Sequence, residues 1–131
     1  MKNLKELHIG SSMISDISEL SELKEISFID ISSSYIRVIP DFSECELLES
    51  LYLSGNLIED IGPVALIPTL RYVELNNNLI RSIEPLKNAN TLEMLCMESN
   101  CILDFASIED DQSLIDAYNE GTQSSTNRHC S

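Results

Sequence analysis

The chain has 131 residues, enough for one domain with a buried core, and its apolar fraction of 43% is ordinary. Its charge is unusual, because 22 acidic residues outweigh 8 basic ones and give a formal net charge of -14. Such a surface repels nucleic acid and anionic membranes, which excludes both as partners, and it favours proteins with a basic or mixed basic and apolar surface.

The chain is organised as copies of one 22-residue pattern, which begin at Leu4, Ile26, Leu48, Leu70 and Leu92. Each copy has three apolar positions that alternate as in a strand, followed by four more at three-residue steps. The only exception among all these positions is Asp111, at the end of the last copy. Because one copy is too small to bury its own apolar side, we expect neighbouring copies to stack and share one core.

The front of the stack has no visible cap. Only three residues precede Leu4, so the first coil should be open to solvent or to a further segment. We therefore expect a monomer or end-to-end association through uncapped coils.

The strand of each copy presents three outward positions on the concave side of an arc. Phe28, Tyr52, Tyr72 and Met94 form an apolar diagonal across this surface, where the pattern requires no apolar residue. Carboxylates surround the diagonal, and none of the fifteen outward positions holds Lys or Arg. The candidate partner-binding residues are therefore Glu6, His8, Phe28, Asp30, Tyr52, Tyr72, Glu74, Met94 and Glu98. A competing interpretation is that aromatic residues simply suit a pleated surface.

One polar position follows each strand, and its occupants are Ser12, Ser34, Asn56, Asn78 and Asn100. At this turn, buried backbone groups need partners, so we expect a structural ladder of inward side chains and not a binding site. An amide has more donors and acceptors than a hydroxyl, so the first two coils should be looser than the last three.

The solenoid is predicted to span residues 1–113, and residues 114–131 are predicted to form a short capping helix and then a disordered polar tail. Acidic residues before position 112 favour a helix start. Four apolar side chains then fall close to one helical face: Leu114, Ile115, Ala117 and Tyr118.

Residues with catalytic or metal-binding chemistry are few. The four cysteines form no C-x-x-C pair and no His stands at ligand spacing, so we predict no metal, cofactor or disulfide, with Cys45 as a core hydrophobe. His8 lies beside Glu6, but no activated nucleophile accompanies them. The sequence therefore predicts no catalytic residues.

Four segments, LKELHIGSSMISDI, LESLYLSGNLIEDI, LRYVELNNNLIRSI and LEMLCMESNCILDF, resemble leucine-rich repeats of the short 22-residue type. Such repeats occur in phosphatase-1 regulatory subunits of that kind, tubulin-folding cofactors and bacterial internalins. The resemblance covers residues 4 to about 110. It implies an α/β fold: a right-handed solenoid of five coils, with a parallel concave sheet and a convex side of short 3-10 or irregular segments.

The resemblance implies a non-enzymatic protein–protein interaction module, acting as a scaffold or regulatory subunit through its acidic, aromatic-dotted concave face. Two alternatives stay open: a structural segment of a larger repeat protein or complex that uses its exposed ends, and a secreted internalin-like bacterial effector or surface protein. No apolar leader follows Met1, so we expect a cytoplasmic location.

Overall fold

The computed structural model of the protein describes residues 2–124, with side chains described up to residue 122. Its central feature is one parallel sheet whose strand order follows the order of the chain. The strands are β1 (Glu6–Gly10), β2 (Phe28–Ser32), β3 (Ser50–Tyr52), β4 (Tyr72–Glu74) and β5 (Met94–Cys96). One strand per copy, in chain order, confirms the predicted five-coil solenoid.

The strands pair in the register of the 22-residue repeat. Glu6 of β1 lies opposite Phe28, and the same row continues through Ser50 and Tyr72 to Met94. Side chains alternate between the two faces of a strand, so equivalent residues of each copy share a face. The inward residues Ile29, Leu51, Val73 and Leu95 have no exposed surface.

The return segments are short 3-10 helices and irregular turns, as predicted. The 3-10 helices span Ser18–Glu22, Gly62–Leu66, Glu84–Leu86 and Phe105–Ile108. Two of them, in the third and fourth copies, have a proline in their first turn. Proline suits this position because its ring presets φ and the missing N–H would have had no partner in the helix.

The core runs through the stack but thins at the front. Leu4, Leu7, Ile9 and Ile14 of the first copy remain partly exposed, whereas equivalent residues of the middle copies are buried. Three of them, Leu7, Ile9 and Ile14, line an open cavity of about 360 Å³ at the front. The first coil is therefore the least buried part of the solenoid.

The polar ladder connects the later coils through side-chain amides. Asn56 Oδ1 accepts from Ile36 N at 3.0 Å, and its Nδ2 donates to Ile31 O at 2.9 Å and Leu53 O at 3.0 Å. Asn78 and Asn100 repeat this arrangement one and two coils later. Each amide thus satisfies backbone groups of two adjacent coils.

Serine makes a weaker version of the same connection. Ser34 Oγ accepts from Ser12 N at 3.3 Å and lies 3.0 Å from Ser12 Oγ. Ile14 N, which corresponds to the donors that bond the later amides, instead donates to Ser12 Oγ within its own coil at 3.3 Å. The greater looseness of the first two coils stays a prediction, and this bonding supports it.

A helix, α1 (Gln112–Ser124), follows the last coil and lies against β5. Asp111 lies immediately before it: its Oδ1 accepts from Leu114 N at 3.2 Å, and its Oδ2 accepts from Asn88 N of the preceding coil at 2.8 Å. The single polar exception to the repeat therefore serves as the N-cap of α1.

Two apolar side chains of α1, Leu114 and Ala117, are buried. The polar tail was predicted to follow Gly121, but α1 continues to Ser124, so the first three residues of this tail are helical. Residues 125–131 lie outside the described residues.

Three of the cysteines lie in the described part of the chain. Cys45 and Cys96 are free and buried, and Cys45 belongs to the core as predicted. Cys101 is disulfide-bonded, so the prediction of no disulfide is wrong.

Candidate protein-binding face

Three rings of the predicted face are in contact on its front half. The ring of Phe28 stacks on that of His8 at a centroid distance of 4.7 Å and meets the ring of Tyr52 edge to face at 5.2 Å. Such pairs are favourable beyond their buried area. Because the three residues come from β1, β2 and β3, they make one cluster across these strands.

The back half of the face carries Tyr72 and Met94, which lie opposite each other on β4 and β5. Both are partly exposed, as are Phe28 and Tyr52. The apolar diagonal thus extends over the sheet from β2 to β5, although described ring contacts join only its front members.

Carboxylates flank the diagonal on both sides. Glu6 Oε1 lies 3.2 Å from His8 Nε2, and both side chains are exposed. Glu74 Oε1 accepts from Ser54 Oγ at 3.0 Å, which holds this carboxylate next to Tyr52. Asp30 lies between His8 and Tyr52 in the strand register. Burial, and then the Glu74 carboxylate, raises the pKa of Tyr52, so its hydroxyl keeps its proton to a higher pH than that of a free tyrosine.

Arg71 was not among the candidate residues, but it borders the face. Its guanidinium lies 5.4 Å from the centre of the Tyr72 ring. It also pairs with Glu93, and with Glu49 Oε1 at 3.2 Å. These two carboxylates raise the pKa of Arg71 and form ion pairs with its positive charge. The spacing of 22 residues between Glu49, Arg71 and Glu93 is a sequence signal for this bridge.

Helix α1 covers β5, the outermost strand of the sheet. The repeat pattern places Cys96 of this strand at an outward position and does not predict that a helix covers it. Cys96 is 2% exposed, and its Sγ lies 3.5 Å from the Gly121 carbonyl oxygen. Burial, and then the carboxylates of Glu74 and Glu98, raises the pKa of this thiol to about 11. The free concave face therefore ends at Met94, beside the wall formed by α1.

Glu98 lies past the end of β5 and is partly exposed. Its backbone N donates to Asn76 Oδ1 at 2.7 Å, which ties this residue to the preceding coil. Glu98 is therefore at the rim, separate from the row that contains Tyr72 and Met94.

Neither a metal centre nor a membrane segment is found in the part of the chain that the structure describes. None of its His, Cys, Asp and Glu residues form a group of three or more that could hold a metal ion. Its helices, moreover, are not long and apolar enough to cross a membrane.

Comparison with known proteins identifies the repeat. A family model for leucine-rich repeats in two copies matches residues 46–88. No curated protein matches the chain.

Solved structures give the same fold. An internalin (inlF) from Listeria monocytogenes is 28% identical with a TM-score of 0.77, over 88% of this chain and 33% of the internalin. Internalin C2 from the same species is 24% identical with a TM-score of 0.63, over 82% of this chain and 57% of that one. A leucine-rich repeat protein of Leptospira interrogans is 23% identical with a TM-score of 0.69, over 76% of this chain and 26% of that one.

This chain thus spans about a third of the length of the first internalin. The repeat frame, the strand register, the amide ladder and these similarities lead to one conclusion: the chain is a leucine-rich repeat protein.

Proposed function

We propose that this protein is a non-enzymatic interaction module, and that its concave face binds a partner protein whose surface combines basic and apolar groups. Leucine-rich repeat domains generally mediate protein–protein interaction. The observation that carries the finer proposal is the apolar diagonal with its flanking carboxylates, on a face without Lys or Arg at any outward strand position. Partly exposed aromatic side chains are frequent anchors in interfaces, and complementary charge speeds encounter.

A scaffold or regulatory role is the form of this function that we favour. The face has aromatic anchors and carboxylates but no nucleophile held by a base, and the His8–Glu6 pair is exposed at one end of it. A broad, shallow surface suits the holding of a protein better than the enclosure of a small substrate.

The test is capture of partners from a lysate of the source cells. Wild type is compared with Asp30→Lys/Glu74→Lys, with Tyr52→Ala/Tyr72→Ala, and with a convex-side control, Glu22→Lys/Glu59→Lys, which changes the net charge equally. We expect the control to retain the proteins that wild type captures and both concave variants to lose them. Equal capture by all four proteins would overturn the concave-face proposal.

Binding kinetics with a captured partner separate the two contributions. The double Lys variant should slow association and reduce its dependence on salt, because the steering field is weakened. The double Ala variant should mainly speed dissociation, by about tenfold or more if the tyrosines are hot spots.

The alternative function uses the front of the solenoid. The partly exposed Leu7, Ile9 and Ile14 and the cavity of about 360 Å³ are surfaces on which a further coil or another subunit could stack. This alternative predicts that Ile9→Lys abolishes partner capture and that the concave variants leave it intact.

The cytoplasmic location stays a prediction. Two observations favour the secreted alternative: the similarity to internalins and the disulfide at Cys101, since disulfides are typical of secreted proteins. Fractionation of source cells, with the medium and cell surface assayed separately, tests it.

A further inference from the structure

A row of apolar side chains runs along one side of the solenoid, between the concave sheet and the convex 3-10 helices. Each copy has an apolar residue directly after its ladder position, where the repeat pattern requires none: Met13, Tyr35, Leu57, Leu79 and Cys101. Asn56 and Ile58, on either side of Leu57, are buried, so the side chain between them points outward. We call Met13, Tyr35, Leu57 and Leu79 the lateral row.

The lateral row is open to solvent. The exposed fraction is 87% for Met13, 54% for Tyr35 and 48% for Leu79, and Leu57 is partly exposed. Single apolar residues are ordinary on a protein surface, whereas contiguous ones mark interaction sites. The spacing of the lateral row therefore decides its meaning.

Backbone hydrogen bonds hold the members of the lateral row side by side. Each bond joins a residue of the row to the preceding coil, at 2.8 or 2.9 Å: Tyr35 N to Ile14 O, Leu57 N to Ile36 O and Leu79 N to Ile58 O. Segments bonded in this way lie ~4.8 Å apart, so the four side chains form one continuous apolar strip about 14 Å long.

Two arginines border the lateral row. Arg37 and Arg81 come two residues after Tyr35 and Leu79, on the same outward side of the chain, and both are exposed. Among the residues that the structure describes, no carboxylate pairs with either guanidinium, whereas Arg71 is paired. The two arginines are separated by two coils, or about 10 Å.

The carboxylates near the lateral row do not neutralise these arginines. Three of them each accept a hydrogen bond from a backbone N–H group at 2.8 or 2.9 Å: Asp16 from Ser18, Asp60 from Gly62 and Asp104 from Ile83. Glu59 lies between Arg37 and Arg81 in the repeat, and no described residue forms an ion pair with it. This side of the solenoid thus offers two unpaired cations, whereas the concave strand positions hold no Lys or Arg.

We propose that the lateral row binds an amphipathic helix of a partner protein, with an apolar stripe and with two acidic residues two turns apart beside that stripe. One helical turn advances about 5.4 Å and one coil ~4.8 Å, so successive turns meet successive members of the row over about three turns. Two turns advance about 11 Å, which places the two carboxylates opposite Arg37 and Arg81. The turn between them faces Glu59 and should carry a neutral or basic residue.

The backbone and the charges of this surface favour that occupant over two others. The N–H groups of Tyr35, Leu57 and Leu79 already bond the preceding coil, so an extended segment finds no free N–H of these residues to pair with. A basic helix would face Arg37 and Arg81 and be repelled. The lateral row is therefore a second interaction surface, whose charge preference is opposite to that proposed for the concave face.

The test is direct binding of labelled helical peptides, measured by fluorescence anisotropy at about 0.15 M salt, where long-range repulsion is screened. The acidic probe is an alanine-based peptide of about 18 residues, with leucines along one face and two glutamates seven residues apart beside it. The neutral probe has glutamine in place of glutamate. The dispersed probe has the composition of the acidic probe, but its leucines are spread around the helix.

We expect wild type to bind the acidic probe about fivefold more tightly than the neutral probe, since each exposed ion pair contributes up to about 1 kcal/mol. The dispersed probe should bind about tenfold more weakly than the acidic probe. Because the chain has a formal net charge of -14, its general charge would favour the neutral probe over the acidic one. Preference for the acidic probe therefore reports the local arginines.

Two matched variants test the arginines. Arg37→Gln/Arg81→Gln should abolish the preference for the acidic probe over the neutral probe. Lys24→Gln/Lys87→Gln removes the same charge from segments that follow 3-10 helices and should keep this preference. Glu59→Gln should strengthen binding of the acidic probe by about twofold, because it removes the carboxylate between the two arginines.

A second pair of variants tests the apolar strip. Tyr35→Ser/Leu79→Ser should weaken the acidic and neutral probes by about tenfold or more, as expected for removal of interface anchors. Leu47→Ser/Leu66→Ser changes two exposed leucines elsewhere and should change either affinity by less than about twofold. Since all four side chains are exposed, melting temperatures close to that of wild type should establish that these variants are folded.

Failure of the acidic probe to bind wild type, or equal weakening by the lateral-row variants and their controls, would overturn the inference. Weakening by Tyr52→Ala/Tyr72→Ala without an effect of Tyr35→Ser/Leu79→Ser would place the peptide on the concave face and also overturn it. A wild-type dimer that excludes the probe and that Tyr35→Ser/Leu79→Ser dissociates would show that a second copy covers the row instead. Partner capture tests the concave face independently of these results.

Discussion

Gly121 of α1 lies directly against the backbone of Leu95 in β5, where an added Cβ would stand 2.1 Å from the Leu95 oxygen and 2.9 Å from Cys96 N. Only glycine permits this approach. The contact positions the helix that buries Cys96.

Gly121→Ala should therefore destabilise the docking of α1, by about 1 kcal/mol or more, even though alanine is the better helix former. We expect a lower melting temperature and faster alkylation of Cys96 by iodoacetamide, followed by peptide mass mapping. Asn119→Ala, at an exposed position of the same helix, is the control and should be neutral or slightly stabilising. Unchanged Cys96 alkylation in Gly121→Ala would contradict the tight contact.

The strand register predicts opposite effects for two adjacent residues. Leu51 is fully buried in the shared core, whereas Ser50 lies on the concave face and is partly exposed. Leu51→Asp should cost several kcal/mol, because it buries an unpaired charge, and Ser50→Asp should be near neutral. Similar melting temperatures for the two variants would be incompatible with the register.

The serine positions of the ladder predict a stabilising substitution. Asn56 bonds the N–H of Ile36, and Ile14 is the equivalent donor one coil earlier, where Ser34 does not reach it. Ser34→Asn should bond Ile14 N and stabilise the front coils by about 1 kcal/mol.

Amide hydrogen exchange measures this effect. In wild type, the amides of Leu7 and Ile9 should exchange faster than those of Val73 and Leu75. Ser34→Asn should slow exchange in the front coils and leave the rates of Val73 and Leu75 relatively unchanged. Uniform protection of the wild-type solenoid would show that the front coil is as stable as the rest.

The Cys96 thiol predicts a loss of stability at alkaline pH. Burial, and then Glu74 and Glu98, raises its pKa from 9.0 to about 11, so the folded protein holds this proton more tightly than the unfolded chain does. The contribution is fully present below pH 9 and is lost as the pH rises through about 11.

Denaturant unfolding between pH 8 and about 11 tests this effect against Cys96→Ala. Wild type should lose on the order of 1 kcal/mol more than the variant over this range, since the other groups titrate in both proteins. Parallel pH profiles would show that Cys96 does not contribute.

The sequence alone determined the parts of this protein that repeat. Apolar positions such as Leu48, Leu51 and Leu53 recur in every copy because each coil buries the same side chains against its neighbours. That recurrence was sufficient to predict the five strands, their parallel pairing, and the outward position of residues such as Tyr52 and Tyr72. The same pattern isolated Asp111 as an exception.

The sequence predicted a capping helix after the last copy, but only the tertiary structure decided which residues that helix covers. The pattern places Cys96 on the open concave face, but α1 covers it, because Gly121 lets a helix from outside the repeat contact β5. It also decided which partners each charge has: Arg71 lies over Tyr72 and between two carboxylates contributed by neighbouring coils. A periodic pattern specifies which face a residue occupies, whereas a contact made once in the molecule depends on how the final helix packs on the completed stack.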